Sequence, residues 1–281
     1  TSNINLKPHK RSDHQLFRLQ YSASSPSLKW LRSALLTLSA CLLLSAQARA
    51  QLSQPDGTQI PVGNALPNIL NSPPLSEGIN VVSDASLVPE VFTPARELTF
   101  SFIAEGGGYE NAFGWYNLGD DVTNPNNRFL IFNCRVEPRN PYVTSTVNFC
   151  GNPDWKGGPI GFFLITPEGR TTRGAFRDRN CAQNDGQGYV YFSEPRLNTF
   201  ESSNNPYIHH LVYRSNTFEN AFYFGFEDLF RGGDNDFEDT LILVEGLFVG
   251  QAAELCDNLD DDCDGRVDEG VSELCQTACG E

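Results

Sequence analysis

Short apolar or alternating runs recur between positions 97 and 248, and clusters of Gly, Asn, Asp or Pro separate them. No window keeps the 3.6-residue repeat of apolar positions that an amphipathic helix shows. Many short strands joined by turn residues are typical of antiparallel sandwiches and jelly rolls. We therefore predict an all-β domain, an antiparallel β-sandwich or jelly roll, over residues 95–248. Its predicted strands are 98–104, 113–117, 129–132, 143–149, 160–165, 189–192, 210–213, 221–226 and 240–244.

The stretch before this domain, residues 51–94, contains seven prolines. Proline removes a backbone donor and is excluded from helix interiors and inner strands. We interpret the stretch as an extended linker or lead-in with one short strand near 79–82.

Residues 29–50 have the features of a secretory signal peptide. Basic residues at positions 29 and 32 precede an apolar run over 34–46, and Ala48, Arg49 and Ala50 form a small-x-small cleavage site. The run is shorter than the roughly 20 residues that a spanning helix needs. One alternative is a buried core helix. Another is a lipobox at Cys41, but the apolar run continues past Cys41, which argues against a lipidated cysteine there. We expect a secreted or cell-surface protein that begins at Gln51, with residues 1–28 as a disordered extension.

The charge of the chain is −15, and residues 1–50 carry seven basic residues but one acidic residue. The remaining 13 basic and 34 acidic residues give a net charge of −21 from residue 51 onward. So acidic a surface repels nucleic acid and anionic lipid and attracts cations. Nucleic-acid partners are therefore excluded, and no stable membrane span is expected after signal cleavage.

An acidic loop over residues 225–239 is the first candidate for chemistry. Gly232 and Gly233 permit a tight reversal, and Phe237 is expected to anchor the loop by packing inward. Calcium takes six to eight oxygen ligands at about 2.3–2.6 Å, which such a loop can supply. A solvated acidic turn held by Asx hydrogen bonds is the alternative. The predicted ligands are Glu227, Asp234, Asn235, Asp236, Glu238 and Asp239.

The pattern G-F-E-D-L-x-x-G-G-D-N-D-F-x-D over 225–239 resembles the closing signature of domain of unknown function 4114. Residues 113–116, 161–164 and 209–213 resemble its earlier strands, so that the resemblance covers about 97–246. It implies a β-sandwich found in secreted, often multidomain bacterial proteins, without an established enzymatic activity.

The last segment, residues 251–281, has too few apolar residues for a core, so disulfides, metal or both must hold it. Asp260, Asp262 and Asp264 occupy positions 1, 3 and 5 of an EF-hand-like loop, and Gly265 occupies position 6. Val271 stands at position 12, where an EF-hand has Glu. The segment 254–270 resembles the short MopE-type metal-binding motif, and a disordered acidic tail is the alternative. The predicted ligands are Asp257, Asp260, Asp262, Asp264, Asp268 and, in a shorter loop, Glu269.

Seven cysteines remain after signal cleavage, and secretion favours disulfides for them. Cys134 and Cys150 could close a local loop, and a Cys256–Cys263 bond would pinch the C-terminal loop. Cys181 is then the unpaired residue. Zinc is the alternative for the four C-terminal cysteines, but their C-x6-C and C-x3-C spacings fit a zinc ribbon poorly.

The hard oxygen ligands favour Ca²⁺ over copper, since copper(I) prefers thiolate, thioether and imidazole. The chain has no methionine, and its histidines after residue 50 are His209 and His210. Neighbours on a strand point to opposite faces, so this pair does not readily share an ion. We expect one imidazole to pack in the core and the other to face solvent.

We expect a non-enzymatic, calcium-binding surface or matrix protein for adhesion or assembly, whose partner is an extracellular or cell-surface protein or glycan. The sequence contains none of the common hydrolase or nucleotide-binding motifs. A carbohydrate-binding module is the alternative, with Trp115, Tyr116 and Trp155 as a sugar-binding face or as core. A hydrolase would use Glu227 together with Asp228 or Glu238.

Overall fold

The computed structural model describes residues 52–133, 142–168, 188–202, 205–252, 254 and 258–270. All of them belong to one unit of the chain, Ala50–Glu281. They form one α-helix and nine β-strands. The bounds are α1 (Ala65–Asn71), β1 (Thr93–Ala104), β2 (Ala112–Asn117), β3 (Phe129–Phe132), β4 (Val143–Asn148), β5 (Ile160–Thr166), β6 (Tyr189–Phe192), β7 (His210–Arg214), β8 (Ala221–Phe226) and β9 (Thr240–Phe248).

The strands form two antiparallel sheets, and all nine predicted strands are confirmed. The five-stranded sheet has the order β4-β1-β9-β8-β7, and the four-stranded sheet has the order β3-β2-β5-β6. The main difference from the prediction is length, since β1 begins at Thr93 and β9 continues to Phe248. Within the described part of the chain, no helix is long and apolar enough to cross a membrane.

The main core lies between the two sheets and is rich in phenylalanine. The Phe113 and Phe162 rings of the four-stranded sheet stack at 5.7 Å, and Phe162 meets Phe224 of β8 at 4.8 Å. Because side chains alternate along a strand, Phe222, Phe224 and Phe226 all reach this core from β8.

The expectation of a linker before the sandwich is wrong, because this segment covers the outer face of the five-stranded sheet. Leu66 and Leu70 of α1 are fully buried in a second apolar cluster with Tyr223 and Leu243. The predicted strand at 79–82 does not form, and a turn begins there instead. The prolines limit regular strands but do not prevent packing, and proline is tolerated in the first turn of a helix such as α1.

A third cluster covers the outer face of the four-stranded sheet, so β2 and β5 are buried on both faces. Trp115 belongs to the main core and Tyr116 to this third cluster, and both are at most 2% exposed. Trp155 packs against the main core. Trp115 and Tyr116 therefore cannot form a sugar-binding face, and the core alternative is correct for them.

The expectation that one of the two adjacent histidines faces solvent is wrong, since both are fully buried. The His209 ring stacks on Tyr191, and its nitrogens lie 2.9 Å from the Glu227 carbonyl oxygen and 2.9 Å from a Glu201 carboxylate oxygen. His210 points to the opposite side, and neither ring nitrogen has a hydrogen-bond partner. Both faces of the start of β7 are covered by other parts of the protein. The alternation of side chains along one strand assigns each histidine to a face but does not show whether that face is covered.

We expect His210→Leu to raise the free energy of unfolding by about 1–3 kcal/mol at pH 7, because it removes buried polar atoms that make no hydrogen bond. The adjacent His209→Leu is the matched comparison and should destabilise the protein, since it leaves the Oε2 atom of the buried Glu201 carboxylate without its His209 partner. Urea denaturation of both variants measures the two changes. A destabilised His210→Leu protein would contradict the prediction.

Candidate metal centre

The two acidic segments lie at opposite ends of β1. The first, the β8–β9 loop (residues 227–239), contacts the end of β1, where the Gly106 N–H donates to the Glu238 carbonyl oxygen at 2.9 Å. The second, the C-terminal loop (residues 258–270), contacts its start, where the Arg96 N–H donates to the Asp261 carbonyl oxygen at 2.8 Å. At about 3.3 Å per strand residue, the two contacts are roughly 30 Å apart. Each loop is therefore a separate candidate site.

Three predicted ligands converge in the β8–β9 loop. Glu227, Asp236 and Asp239 each offer a carboxylate oxygen, and these oxygens lie within 4.8 Å of one another. Glu227 is fully buried, Asp239 is 8% exposed, and Asp236 is half-buried. Oxygens at this spacing can surround one divalent cation.

Glycines allow the backbone to approach these carboxylates closely. A Cβ atom at Gly233, where φ is 43°, would lie 2.4 Å from Glu227 Oε1. A Cβ atom at Gly107, in the turn after β1, would lie 2.6 Å from Asp239 Oδ1. Phe237 is fully buried in the second apolar cluster, which confirms that it anchors the loop.

The electrostatics of the β8–β9 loop are unfavourable without a cation. Burial, together with the neighbouring Asp239 carboxylate, raises the pKa of Glu227 and of Asp228. Burial also raises the pKa of Asp236, to about 6. In the described part of the chain, the ion pairs involve Asp120, Glu194 and Glu201, and no loop carboxylate takes part. Protons or a bound cation must therefore compensate the charge.

Unpaired oxygen atoms point to the same conclusion. Glu227 Oε2 and Glu238 Oε2 are buried and accept no hydrogen bond. A buried carboxylate oxygen without a donor costs free energy, and a metal ion would remove that cost. Glu238 is half-buried and lies beside Gly106.

The other predicted ligands of this loop have different surroundings. Asp234 is exposed, and the Asn235 amide oxygen accepts a hydrogen bond from Gln54 Nε2 at 2.5 Å. Asp228 belongs to the hydrolase alternative and is not among the predicted ligands. Its carboxylate accepts from Asn111 Nδ2 at 2.8 Å, and its N–H donates to Asp239 at 2.9 Å. Asp228 therefore orients Asp239.

Gln54, from the segment expected to be a linker, fixes the β8–β9 loop in place. Its amide nitrogen also donates to the Ile208 carbonyl oxygen, and its amide oxygen accepts from the Ile208 N–H, both at 2.9 Å. A Cβ atom at Gly63, in the same segment, would lie 2.6 Å from the Asp236 Cβ atom. The loop is thus held by residues about 180 positions earlier, for which the local sequence contains no signal.

We expect Gln54→Ala to weaken calcium binding at the β8–β9 loop by about fivefold, because a net hydrogen-bond contribution of about 1 kcal/mol to loop order is lost. Gln59→Ala is the matched control, because the exposed Gln59 side chain donates its hydrogen bond to Ser53 Oγ and not to the loop. Isothermal titration with calcium measures both variants. Equal affinities for the two variants would show that Gln54 does not position the loop.

The C-terminal loop brings four predicted ligands together in two groups. Oxygens of Asp262, Asp264 and Glu269 lie within 4.8 Å of one another, as do oxygens of Glu254, Asp260 and Asp262. These residues are half-buried or exposed, unlike Glu227. Two further predicted ligands stand apart. Asp268 accepts from the Asn258 N–H at 3.3 Å and joins neither group, and Asp257 lies outside the described residues.

Glu254 was not predicted as a site residue, although its carboxylate closes the C-terminal loop. It accepts from the N–H groups of Asp261 and Asp262 at 3.0 and 2.9 Å, and from that of Asp268 at 2.9 Å. It stands at the first position of the segment 254–270, ahead of the regularly spaced aspartates, so ligand spacing does not identify it.

A disulfide between Cys150 and Cys263 joins the C-terminal loop to the sandwich, with Cα atoms 5.2 Å apart. It replaces the expected Cys134–Cys150 and Cys256–Cys263 pairs. Cys150 follows β4 and lies beside the start of β1, where the loop is already held by the Arg96–Asp261 hydrogen bond. Proximity in the sequence therefore predicts the wrong disulfide partners. The other cysteines, Cys181 among them, lie outside the described residues.

Comparison with known families and structures yields one match. No curated protein matches the chain, and no solved structure does. The family model described as a domain of unknown function, DUF4114, matches residues 155–246. The matched segment contains β5 to β9 and the complete β8–β9 loop, but neither the segment around α1 nor the C-terminal loop. Over residues 155–246 the chain is therefore similar to the DUF4114 family.

Proposed function

We propose that the protein is secreted and binds calcium at the β8–β9 loop, and that it serves as a non-enzymatic surface or matrix protein in adhesion or assembly. The observation that carries this proposal is the convergence of Glu227, Asp236 and Asp239 in a largely buried loop. Glu227 Oε2 lacks any hydrogen-bond partner there. A hard divalent cation is the simplest compensation for these charges.

Calcium suits the donor set better than softer metals. In the described part of the chain, each cluster of closely spaced possible ligands in the two loops consists of Asp and Glu, without histidine or cysteine. Copper favours sulfur and imidazole ligands, whereas calcium accepts six to eight oxygens in flexible geometry. The resemblance of 254–270 to the MopE-type motif supports a second, more exposed site in the C-terminal loop.

Secretion is supported by two independent features. Residues 29–50 have the composition of a signal peptide. The Cys150–Cys263 disulfide is typical of proteins in oxidising compartments. We infer that the partner is an extracellular or cell-surface protein or glycan, consistent with an acidic surface that disfavours nucleic acid.

Burial of the carboxylates favours a non-enzymatic role over hydrolysis. Glu227 is fully buried and Asp228 is 1% exposed, so neither carboxylate is open to a glycosidic substrate. General acid–base catalysis needs the carboxyl group within hydrogen-bond reach of the substrate. Ligation of an ion inside the loop needs no such access.

The test is Glu227→Gln, compared with Glu245→Gln as a control carboxylate on β9 outside the loop. Glu227→Gln should weaken calcium binding at least about tenfold. The metal-free variant should melt at the wild-type temperature or higher, because glutamine is neutral and removes a buried carboxyl group whose ionisation burial disfavours. Glu245→Gln should keep wild-type affinity. Unchanged calcium titrations for Glu227→Gln would refute calcium binding at this loop.

A further inference from the structure

Asp228 and Asp239 form a second pair of neighbouring carboxylates at the β8–β9 loop. The Asp228 N–H donates to Asp239 Oδ2 at 2.9 Å. A Cβ atom at Gly107 would lie 2.6 Å from Asp239 Oδ1 and 3.0 Å from Asp228 Oδ2, so both carboxylates present an oxygen to the same small volume. Two oxygens that each bind one calcium ion at about 2.3–2.6 Å are at most about 5 Å apart, which this arrangement permits.

The Asp228 carboxylate is buried without a compensating positive charge. It is 1% exposed, and among the residues that the structure describes it takes part in no ion pair. Burial raises the pKa of Asp228, and the carboxylates of Asp239 and Glu168 raise it further. Asp228 therefore has the same uncompensated charge as Glu227, although it does not belong to the group that Glu227 forms with Asp236 and Asp239.

A buried amide oxygen beside this pair of carboxylates has no hydrogen-bond partner. Asn111, directly before β2, is 5% exposed, and its Nδ2 atom donates to Asp228 Oδ2 at 2.8 Å and to Thr240 Oγ1 at 3.1 Å. The Oδ1 atom of the same amide is buried and accepts no hydrogen bond. An unpaired buried acceptor costs free energy, and amide oxygens are ligands that calcium takes in proteins. Asn111 therefore offers a third oxygen from the opposite sheet.

The Tyr191 hydroxyl is a second buried group near Asp228 that has no hydrogen-bond partner. Burial raises the pKa of Tyr191, and the carboxylates of Glu201, Glu168 and Asp228 add to that effect, which places them in its surroundings. A hydroxyl group both donates and accepts hydrogen bonds, so it can hold a water molecule that completes the coordination of an ion.

One divalent cation does not compensate the charge of the β8–β9 loop. Residues 227–239 contain six acidic residues and one basic residue, Arg231, so that one divalent ion leaves a net charge of −3 when all of them are ionised. A second ion leaves −1. Asp239 can serve both ions, because a carboxylate has two oxygens with several lone pairs and binds calcium through one or both of them.

We propose that the β8–β9 loop binds a second calcium ion through the Asp228 and Asp239 carboxylates and Asn111 Oδ1, next to the ion held by Glu227 and Asp236. Asp239 bridges the two ions. Asp228 orients Asp239 through its backbone N–H and binds the second ion through its side chain. The inference rests on the proposed calcium role of the loop and goes beyond it, because neither Asp228 nor Asn111 is in the predicted ligand set.

The test counts calcium ions by equilibrium dialysis of the full chain. Asp260→Asn, Asp262→Asn and Asp264→Asn together provide the background, because they remove ligands of the C-terminal loop. We expect two calcium ions per chain in this background and one after the further change Asp228→Asn, which keeps the size of the side chain and the backbone N–H but removes the charge. Asp154→Asn, at an exposed aspartate before β5, is the matched control and should keep both ions.

One bound ion in the background protein, or two ions after Asp228→Asn, would overturn the second position and leave the proposed calcium role intact. No bound ion in the background protein would contradict both. Should Asp228→Asn fail to fold, anomalous data from strontium-soaked crystals of the unmodified chain decide. Two peaks at the β8–β9 loop, one of them between Asp228 and Asp239, would support the proposal, and a single peak among Glu227, Asp236 and Asp239 would overturn it.

Discussion

Calcium should raise the melting temperature of the metal-free protein, and the increase should be larger at pH 7.5 than at pH 5. A ligand at about 100 times its Kd stabilises the folded state by about 2.7 kcal/mol per site. For a domain of this size that corresponds to a shift of about 5–10 °C. At pH 5 protons compete for the same carboxylates, so that the shift is smaller.

The calcium-induced shift is expected to be larger at the higher pH because the carboxyl groups of the metal-free loop have raised pKa values. Between the ordinary and the raised pKa, the folded protein binds more protons than the unfolded chain, so stability falls as pH rises through that interval. For Asp236 the interval runs from 3.8 to about 6. Burial likewise raises the pKa of Glu227 and of Asp239, and Asp239 lies beside Glu227. Calcium replaces the missing protons and restores the stability at the upper end of the interval.

The measurement is a set of thermal melts from pH 5 to 8, in calcium and in EGTA, read as the difference between the two curves. His210, whose pKa burial lowers to about 3, costs stability as pH falls below 6.5. It lies outside the loop and affects both curves alike, so that the difference removes it. If calcium raised the melting temperature equally at pH 5 and pH 7.5, the carboxyl groups with raised pKa values would not be calcium ligands.

Loss of the Cys150–Cys263 disulfide should lower the free energy of unfolding by about 4–5 kcal/mol. The bond closes a separation of 113 residues, and the loop entropy it removes from the unfolded chain grows with that length. The expected fall in melting temperature is about 8–20 °C. The Cys150→Ala/Cys263→Ala variant should also lose affinity at the C-terminal loop, because Cys263 lies inside that loop.

The single variants Cys150→Ala and Cys263→Ala provide the control. Each breaks the same bond, so each alone should cost nearly as much as the double variant. Additive small effects would show that the two cysteines are not bonded to each other. Peptide mapping under non-reducing conditions would then identify their real partners. Calcium affinity at the β8–β9 loop should stay unchanged in all three variants.

The strands of the sandwich could be predicted because each is encoded locally. Strand β8 alternates Phe222, Phe224 and Phe226 toward the main core with Ala221 and Tyr223 toward the second cluster. In the sequence, β8 is a short apolar run bounded by turn residues, and this pattern can be recognised without knowledge of the partner strand. The turn residues between strands mark their ends equally locally, so the predicted and observed bounds differ mainly where β1 and β9 extend.

The covering segment and the disulfide depend on contacts between distant residues. Leu66 and Leu70 lie in a proline-rich stretch, and only the apolar outer face of the five-stranded sheet gives them a place to pack. Cys150 meets Cys263 because β4 and β1 hold it beside the C-terminal loop. Neither contact produces a periodic pattern of apolar residues or a characteristic residue spacing that the sequence would reveal.

The residues of the candidate site likewise include some that the local sequence predicts and others that depend on distant contacts. Glu227, Asp236 and Asp239 could be predicted because they share one short loop with turn-forming glycines. Gln54 and Glu254 could not be predicted, since neither belongs to the spaced acidic ligands and both act through hydrogen bonds formed on folding. The histidine pair shows the limit of strand alternation, because it assigns faces but not what covers each face.

Crystals of the full chain grown in calcium and measured at high resolution, with anomalous data, test calcium binding at the β8–β9 loop most directly. We predict an anomalous peak among Glu227, Asp236 and Asp239, with oxygen ligands at about 2.3–2.6 Å. Water molecules alone among these three carboxylates would contradict calcium binding there.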